Sequence, residues 1–467
     1  MQSSHSKLIL LISPIILLAA MVTHPVFDDW TYYTSPCDFN EDGFLNLLPK
    51  GNHWRPFDAA LGYMLWLQPE LFPWVNHIIV VIGHVINALL LCKIGKLFKL
   101  DSLHLYIAVL VFYLSTGMIA TVLNTDSFNQ VYSHLWGFLG LWIYLTHNGT
   151  KKYVLWCSTI MIATLCKENG MMWAWATPLT AWGLQYVDKK ETKKDILIGT
   201  AVMVVYLLIR FSLSQYIVDT ESDDYFNTPL LRHIRGIAML LGYSFVPLDY
   251  VSIVHPPTRN ILLAAITAVL CIPFLLLLLK NLRKADRRLI VSMILAIIIL
   301  ALPHLLTIYS SLHPYASLSI SSILIAVIIQ KEKNKKTTLV TFSLYLVAMI
   351  ISGTNHWIKS YESGMTGKKL AEQAIAKTRT PVEKVYLIEI DTHETKYSSF
   401  CTIPYEAFGW GLAACNETHY KWPKYINEEL IDESKRAIIP SMIENAKKEG
   451  YRTFWIVEKD QIKVLNF

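Results

Sequence analysis

Apolar runs close to the roughly 20 residues that a helix needs to cross a bilayer recur along the first 350 residues and then stop. Candidate spans fall at 8–24, 74–95, 103–122, 130–147, 152–166, 170–187, 195–213, 259–279, 289–308, 315–330 and 337–352, eleven in all. Helical periodicity within them carries little information, because a lipid-facing helix is apolar all round. Lys7 ahead of the first run and Ala19-Ala20 near its end have the outline of a signal peptide. A retained anchor is expected instead, since the residues just after it need a fixed position. Residues 233–250 (HIRGIAMLLGYSFVPLDY) are apolar enough to enter a membrane, yet a full crossing there would reverse the side of the basic stretch 280–288. The stretch 214–258 is therefore expected to be a long outer loop with a re-entrant or interfacial helix.

Beyond residue 352 the pattern changes. VEKVYLIEI (382–390), RTFWIVE and QIKVLNF are strand-like, and ESKRAIIPSMIENAKKEG (433–450) is helix-like. The expected fold is an all-α polytopic membrane protein of about 11 transmembrane helices with a small C-terminal soluble α/β domain. The membrane module covers 1–355, with a large first outer loop (25–73), and the α/β domain covers 366–467. No internal repeat, coiled coil or low-complexity tract interrupts this organisation.

Composition agrees: 53% of residues are hydrophobic and only 17% charged, against about 25% charged in soluble domains. The net charge of +6 is not gathered on one soluble face, which argues against nucleic acid as a partner. Eighteen Lys and Arg fall in turns on one side (around 93–99, 151–152, 189–194, 280–288 and 331–336), and only Lys50, Arg55, Lys167, Arg232 and Arg235 on the other. By the positive-inside rule the chain is N-in, and eleven crossings make it C-out. Cys92, Cys157, Cys166 and Cys271 sit in or beside apolar runs as small hydrophobes, while Cys401 and Cys415 could pair if the tail is extracytoplasmic. Asn416-Glu417-Thr418 has the form of a glycosylation sequon. No cysteine–histidine spacing suggests zinc.

The chemistry-bearing residues gather at the outer ends of the spans. The first outer loop opens with Phe27-Asp28-Asp29-Trp30 and closes with Asn52-His53-Trp54-Arg55-Pro56-Phe57. Adjacent carboxylates at a bilayer surface suit deprotonation of an acceptor hydroxyl or coordination of a divalent cation, and equally a solvated loop start. Asn76, His77, His84 and Asn87 lie within one arc of roughly 100° on the second span, so they should face the bundle interior. Interhelical hydrogen bonds would explain them as well as ligand binding would. Asp126 and the turn Cys166-Lys167-Glu168-Asn169 share the same outer face. Lys167 and Glu168 could be no more than a local ion pair. Arg232 and Arg235 suit a lipid phosphate at headgroup depth, or anchoring of their helix by snorkelling. His313, in His-Pro-Tyr, is a further polar candidate.

In order along the chain, FDDW, HWRPF, VNHIIVVIGHVINALLL, LCKENG and GYSFVPLDY resemble elements of the glycosyltransferase C superfamily. This superfamily comprises membrane enzymes that use polyprenyl-phosphate sugars. The resemblance is nearest to the protein O-mannosyltransferase-like branch and covers residues 27 to about 250. It departs from that branch in having no tetratricopeptide repeats, and in SSLHPYASL where some relatives carry an Arg-Tyr lipid-phosphate motif.

The resemblance implies a catalytic carboxylate at Asp28 or Asp29, with Asp28 favoured as general base. His53, Arg55 and Asp126 would orient the base or sugar, and Lys167, Arg232 or Arg235 would hold the donor phosphate. Relatives differ in needing a metal, so a divalent cation is an option rather than a requirement, and Asp28 and Asp29 would hold it; no other cofactor is implied. The expected partners are a polyprenyl-phosphate-linked sugar, membrane lipids and an extracytoplasmic acceptor, and the expected location is a bacterial inner membrane with the site facing the periplasm. Rival readings are a transporter or flippase of lipid-linked saccharide, a catalytically silent envelope scaffold, and a polysaccharide polymerase or ligase. The first predicts repeated halves and interrupted helices, which the sequence does not display.

Overall fold

A computed structural model describes residues 4–24, 47–48, 54–57, 60, 75–125, 127–213, 229–250, 260–306, 313–378, 384–391 and 425–466. The described helices are α1 (Ser4–Met21), α2 (Val75–Leu97), α3 (Ser102–Leu114), α4 (Thr116–Val122), α5 (Phe128–Thr146), α6 (Gly149–Cys166), α7 (Trp173–Gly183), α8 (Lys189–Leu213), α9 (Leu230–Phe245), α10 (Ile261–Leu282), α11 (Arg287–Leu306), α12 (Tyr315–Ile329) and α13 (Lys335–Lys377). A C-terminal sheet follows, formed by β1 (Lys384–Asp391), β2 (Tyr425–Asp432), β3 (Thr453–Glu458) and β4 (Gln461–Asn466), with α14 (Ile439–Lys448).

The expected eleven crossings are not found. Among the described residues six helices are long and apolar enough to span a membrane, namely α1, α2, α8, α10, α11 and α13. The number is seven if α3 and α4, bent by 48° around Ser115, count as one. The physical reasons are local. α7 has 11 residues, about 17 Å at 1.5 Å each, and follows a 3₁₀ turn at Glu168–Met172. α12 has 15 residues. α5 carries Asn129, Gln130, Ser133 and His134 in its first two turns, and α6 opens on Lys151 and Lys152. The N-in, C-out assignment counted eleven crossings and falls with them.

Interhelical contacts sort the helix ends into two groups. At one end His5 Nε2 meets the Ser102 carbonyl at 3.1 Å and Gln330 Nε2 donates to the Lys99 carbonyl at 3.1 Å. Arg288 donates to the Val187 carbonyl at 3.1 Å, and Lys152 pairs with Glu191 at 3.2 Å. Most of the clustered lysines and arginines lie at this basic end. The other end of the bundle carries the candidate site. α13, of 43 residues and about 65 Å, starts at the basic end and runs on into the C-terminal domain.

Within the bundle both ring nitrogens of His84 and the Asn87 Nδ2 group of α2 are hydrogen-bonded, which offsets their burial in an apolar medium. Asn87 Nδ2 donates to the Tyr315 hydroxyl at 3.2 Å and to the Val131 carbonyl at 3.1 Å. The Tyr113 carbonyl beside His84 Nε2 can only accept, which leaves Nδ1 of the neutral ring to accept from the Tyr315 hydroxyl, 2.8 Å away. His84 then carries its hydrogen on Nε2, which faces the Tyr113 carbonyl at 3.3 Å. This chain of bonds ties α2, α3, α5 and α12 together. Close packing does the rest. A Cβ at Gly137 of α5 would fall 2.0 Å from the Trp173 ring of α7, so the indole occupies the space that a side chain would take.

In the C-terminal domain the strand order is β2-β1-β3-β4, with β1 parallel to both β2 and β3 and β4 antiparallel to β3. Ile388, Ile390 and Phe454 on one face pack against Ile439 and Ile443 of α14. The helix-like stretch 433–450 divides into a 3₁₀ turn (Glu433–Ile438) and α14, which starts beside Pro440, a residue suited to a first helical turn. β4 docks on α13: the Ile462 amide donates to Gln373 Oε1 at 2.9 Å and Lys369 pairs with Asp460 at 3.0 Å. Cys92, Cys157, Cys166 and Cys271 are free thiols, while Cys401, Cys415 and Asn416 lie outside the described residues.

Two outcomes are expected. Tyr315→Phe, which strips His84 and Asn87 of a shared partner, should lower stability by about 1–3 kcal/mol in thermal unfolding of the detergent-solubilised protein. At the basic end Glu332 accepts from Lys280 Nζ, the Asn334 amide and Asn281 Nδ2, which hold its carboxyl down at about 2, against an ordinary 4.5. A depressed carboxyl stabilises the fold fully above its ordinary value and loses that contribution as pH falls toward 2. Glu332→Gln should therefore unfold earlier than wild type at pH 7, with the gap closing as the scan is repeated at lower pH.

Candidate active site

At the end of the bundle opposite the basic one, two motifs that are 113 residues apart in sequence meet on one carboxylate. Arg55 Nε donates to Glu168 Oε2 at 2.9 Å, and the Trp54 amide donates to Oε1 at 3.3 Å. The HWRPF element thus grips the Lys-Glu turn from the far side of the first outer loop. Trp54 is itself fixed. Its ring stacks on Tyr206 of α8 at 5.3 Å between centroids, and its Nε1 donates to the Leu47 carbonyl at 3.0 Å.

The turn is shaped by its sequence. Lys167 leaves α6 in extended backbone, and the Gly170 amide returns to the Lys167 carbonyl at 2.8 Å. A Cβ at Gly170 would lie 2.4 Å from the Ala163 carbonyl oxygen and 2.6 Å from Ser133 Oγ, so only glycine fits there. Lys167 is buried. Asn169 Nδ2 reaches His304 Nε2 of α11 at 3.1 Å, and His304 stacks on His313 at 3.7 Å. Lys167, Arg55 and His313 are all near enough to His304 to act on it electrostatically, as are Arg210, Arg55 and Glu168 on Tyr206. Arg55, Lys167 and Arg210 thus lie in the neighbourhood of Glu168, and the balance of charge favours an anion.

The first outer loop is anchored where it begins. A Cβ at Gly364 of α13 would lie 2.7 Å from the His24 carbonyl oxygen, so the chain leaving α1 lies flat against α13. Trp357 Nε1 of α13 donates to the Ala19 carbonyl at 2.9 Å. Burial, and then the charge of Lys368, lower the His24 pKa and favour its neutral form. His77 is buried and hydrogen-bonds to the Thr23 backbone.

Of the candidates read from sequence, Arg55, Lys167, Glu168 and His313 are brought together here. His77 supports the loop's start, and His84 belongs to the hydrogen-bonded interior chain rather than to this end. Arg232 and Arg235 lie on exposed positions of α9. Asp28, Asp29, His53 and Asp126 lie outside the described residues, as does the side chain of Asn76. Sequence reasoning passed over Trp54, Asn169, Tyr206 and His304. His304 had a usable signal, being a lone ionisable residue in the otherwise apolar run 289–306. A buried carboxylate, Asp249, was also missed. It accepts from Asn355 Nδ2 at 2.8 Å and lies 3.6 Å from His356 Nδ1, which joins the VPLDY segment to α13. Among the described residues no group of three or more His, Cys, Asp or Glu is placed to hold a metal ion.

No family model matches the sequence, and no curated protein matches it. Among solved structures the chain is similar to ArnT from Cupriavidus metallidurans bound to undecaprenyl phosphate, at TM-score 0.50 and 10% identity over 98% of this chain and 97% of that one. It also aligns with the Archaeoglobus fulgidus oligosaccharyltransferase in complex with zinc and sulfate (TM-score 0.49, 12% identity, 96% of this chain and 67% of that one). A second structure of that protein, tethered to an acceptor peptide, gives TM-score 0.48 and 13% identity over 96% and 68%. At such identity the likeness is one of fold. The chain is an integral membrane protein whose fold is similar to that of ArnT.

If Glu168 is what holds residues 54–55 in place, Arg55→Gln and Glu168→Gln should each increase proteolytic nicking within residues 25–73 severalfold. The double variant should be nicked no faster than either single one, because partners in one ion pair are not additive. Limited proteolysis in detergent followed by mass spectrometry reads both quantities.

Proposed function

We propose that the protein is a glycosyltransferase that moves a sugar from a polyprenyl-phosphate donor to an extracytoplasmic acceptor. The observation that carries this reading is the cationic cluster of Arg55 and Lys167 around the Lys-Glu turn, in a fold shared with a protein whose structure holds undecaprenyl phosphate. Motif order favours the O-mannosyltransferase-like branch. The basic end of the bundle suits the cytoplasm by the positive-inside rule, so the site would face the periplasm of a bacterial inner membrane.

Asp28 is the general base in this scheme. It lies four residues beyond His24, within about 14 Å of extended chain of the anchored end of α1. The acceptor hydroxyl gives its proton to the Asp28 carboxylate as its oxygen bonds to the anomeric carbon. The bond from that carbon to the phosphate oxygen breaks, and its electron pair leaves with the polyprenyl phosphate. Attack from the face opposite the leaving group inverts the configuration. Lys167 and Arg55 take up the charge that grows on the phosphate, a stabilisation worth most in a site with little water. Asp29, His53 and Asp126 orient the base or the sugar, and His313 backs His304 against the turn. Any divalent cation would rest on Asp28 and Asp29, and no step above requires one.

The test is transfer from a panel of labelled polyprenyl-phosphate monosaccharides by the full chain in nanodiscs, with envelope extract as acceptor and mass spectrometry on the product. Wild type should label an acceptor, Asp28→Asn should lose about a hundredfold or more of the rate, and Lys167→Met should weaken use of the donor. Unchanged transfer in a variant lacking both Asp28 and Asp29 would sink the mechanism. Donor binding with no transfer from any sugar would favour a flippase or a silent scaffold.

A further inference from the structure

α9 does not cross the bundle. Near its start, His233 Nδ1 meets the Leu305 carbonyl at 2.8 Å, about 27 Å along α11 from the basic end. At its close, the Phe245 carbonyl accepts the Tyr345 hydroxyl at 2.9 Å, only about 15 Å along α13 from that end. The helix therefore leans obliquely into the bilayer from the site end and stops part-way, as a re-entrant element does. Its mouth abuts the candidate site, because Leu305 follows His304 directly.

The residues of α9 divide by face. Gly236, Leu240 and Tyr243 are buried against the bundle. Leu230, Ile234, Ile237 and Leu241, spaced i, i+4, i+7 and i+11, form a stripe in which every side chain is 50% or more exposed. Arg232 and Arg235, three residues apart, stand exposed on another face and make no ion pair among the described residues. The sequence of α9, LLRHIRGIAMLLGYSF, contains no acidic residue. An aliphatic stripe suits acyl chains. Two guanidinium groups at the mouth, with no carboxylate partner among the described residues and about 24–28 Å from the basic end of a hydrocarbon layer about 30 Å thick, sit where phosphodiester headgroups lie.

We infer that Arg232 and Arg235 form a docking surface for anionic phospholipid headgroups of the surrounding leaflet, seating α9 beside the site. This assigns the two arginines to bulk lipid rather than to the donor's phosphate, which the inner cations Lys167 and Arg55 serve. Each guanidinium can give two parallel hydrogen bonds to phosphate oxygens, and the aliphatic stripe sets the depth at which it does so.

The experiment uses the full chain released from nanodiscs of phosphatidylcholine with phosphatidylglycerol at one part in four, with native mass spectrometry counting the lipids that stay bound. Wild type should retain phosphatidylglycerol at several times its bulk share. Arg232→Gln/Arg235→Gln should lower the excess about twofold or more, while Arg232→Lys/Arg235→Lys should keep part of what the glutamine pair loses. Lys335→Gln/Lys336→Gln, at the basic end, should keep all of the excess attributable to α9. A phosphatidylglycerol excess undiminished in the glutamine pair overturns the inference, and so does an equal loss in the Lys335/Lys336 control. Both α9 variants remove exposed side chains, and thermal unfolding of each confirms that the fold is retained. The assay contains no sugar donor, so its result and that of the transfer assay stand apart.

Discussion

In hydrocarbon a polar group without a partner is costly, and this constraint organises the interior of the bundle. His84, Tyr315 and the Asn87 Nδ2 group meet it by serving one another. The bonds run in one direction, from the Asn87 amide through the Tyr315 hydroxyl to His84 and on to the Tyr113 carbonyl. Because the four residues come from three helices, satisfying them sets the relative register of α2, α3 and α12. α12, all of whose residues are buried, has no lipid face of its own and depends on that register.

The same constraint shapes the end of the bundle that carries the candidate site. Lys167 is buried at the end of α6, where the helix unwinds into a 3₁₀ turn and the backbone no longer satisfies itself. Ser133 of α5, His304 of α11 through Asn169, and the neighbouring Trp54 and Arg55 supply contacts from three separate places in the chain. A turn held from so many directions keeps its charges in place with little reorganisation, which is the condition for stabilising charge that appears only during reaction.

Much of this was legible in the sequence, and the failures have physical causes. The arc of His77, His84 and Asn87 was read as interior and lies there, because polar residues on an apolar helix leave few alternatives. Arg55 and the Lys167-Glu168 turn were placed on one face, and they meet. The number of crossings was not legible. Hydropathy cannot distinguish a helix that spans lipid from one, such as α7 or α12, that is short and enclosed by other helices, since both read as apolar. β2 was missed because Glu428 and Glu429 side by side break the alternation expected of a strand; as an edge strand it tolerates them. Tyr206 and Trp54 were invisible as partners because stacking leaves no spacing signature in sequence.

α13 joins these parts. Along one helix it receives the Phe245 carbonyl at Tyr345, Asp249 at Asn355 and His356, the Ala19 carbonyl at Trp357 and the His24 backbone at Gly364, and β4 at Gln373. A continuous helix is stiff, so a shift at one contact carries to the others more readily than through the loops between them. The base of α9, the start of the acidic first loop and the C-terminal sheet are thereby referred to a common axis. The long uninterrupted helix thus gives a physical reason for the C-terminal domain to be carried on this bundle. It holds the sheet in a fixed relation to the segment from which Asp28 and Asp29 emerge.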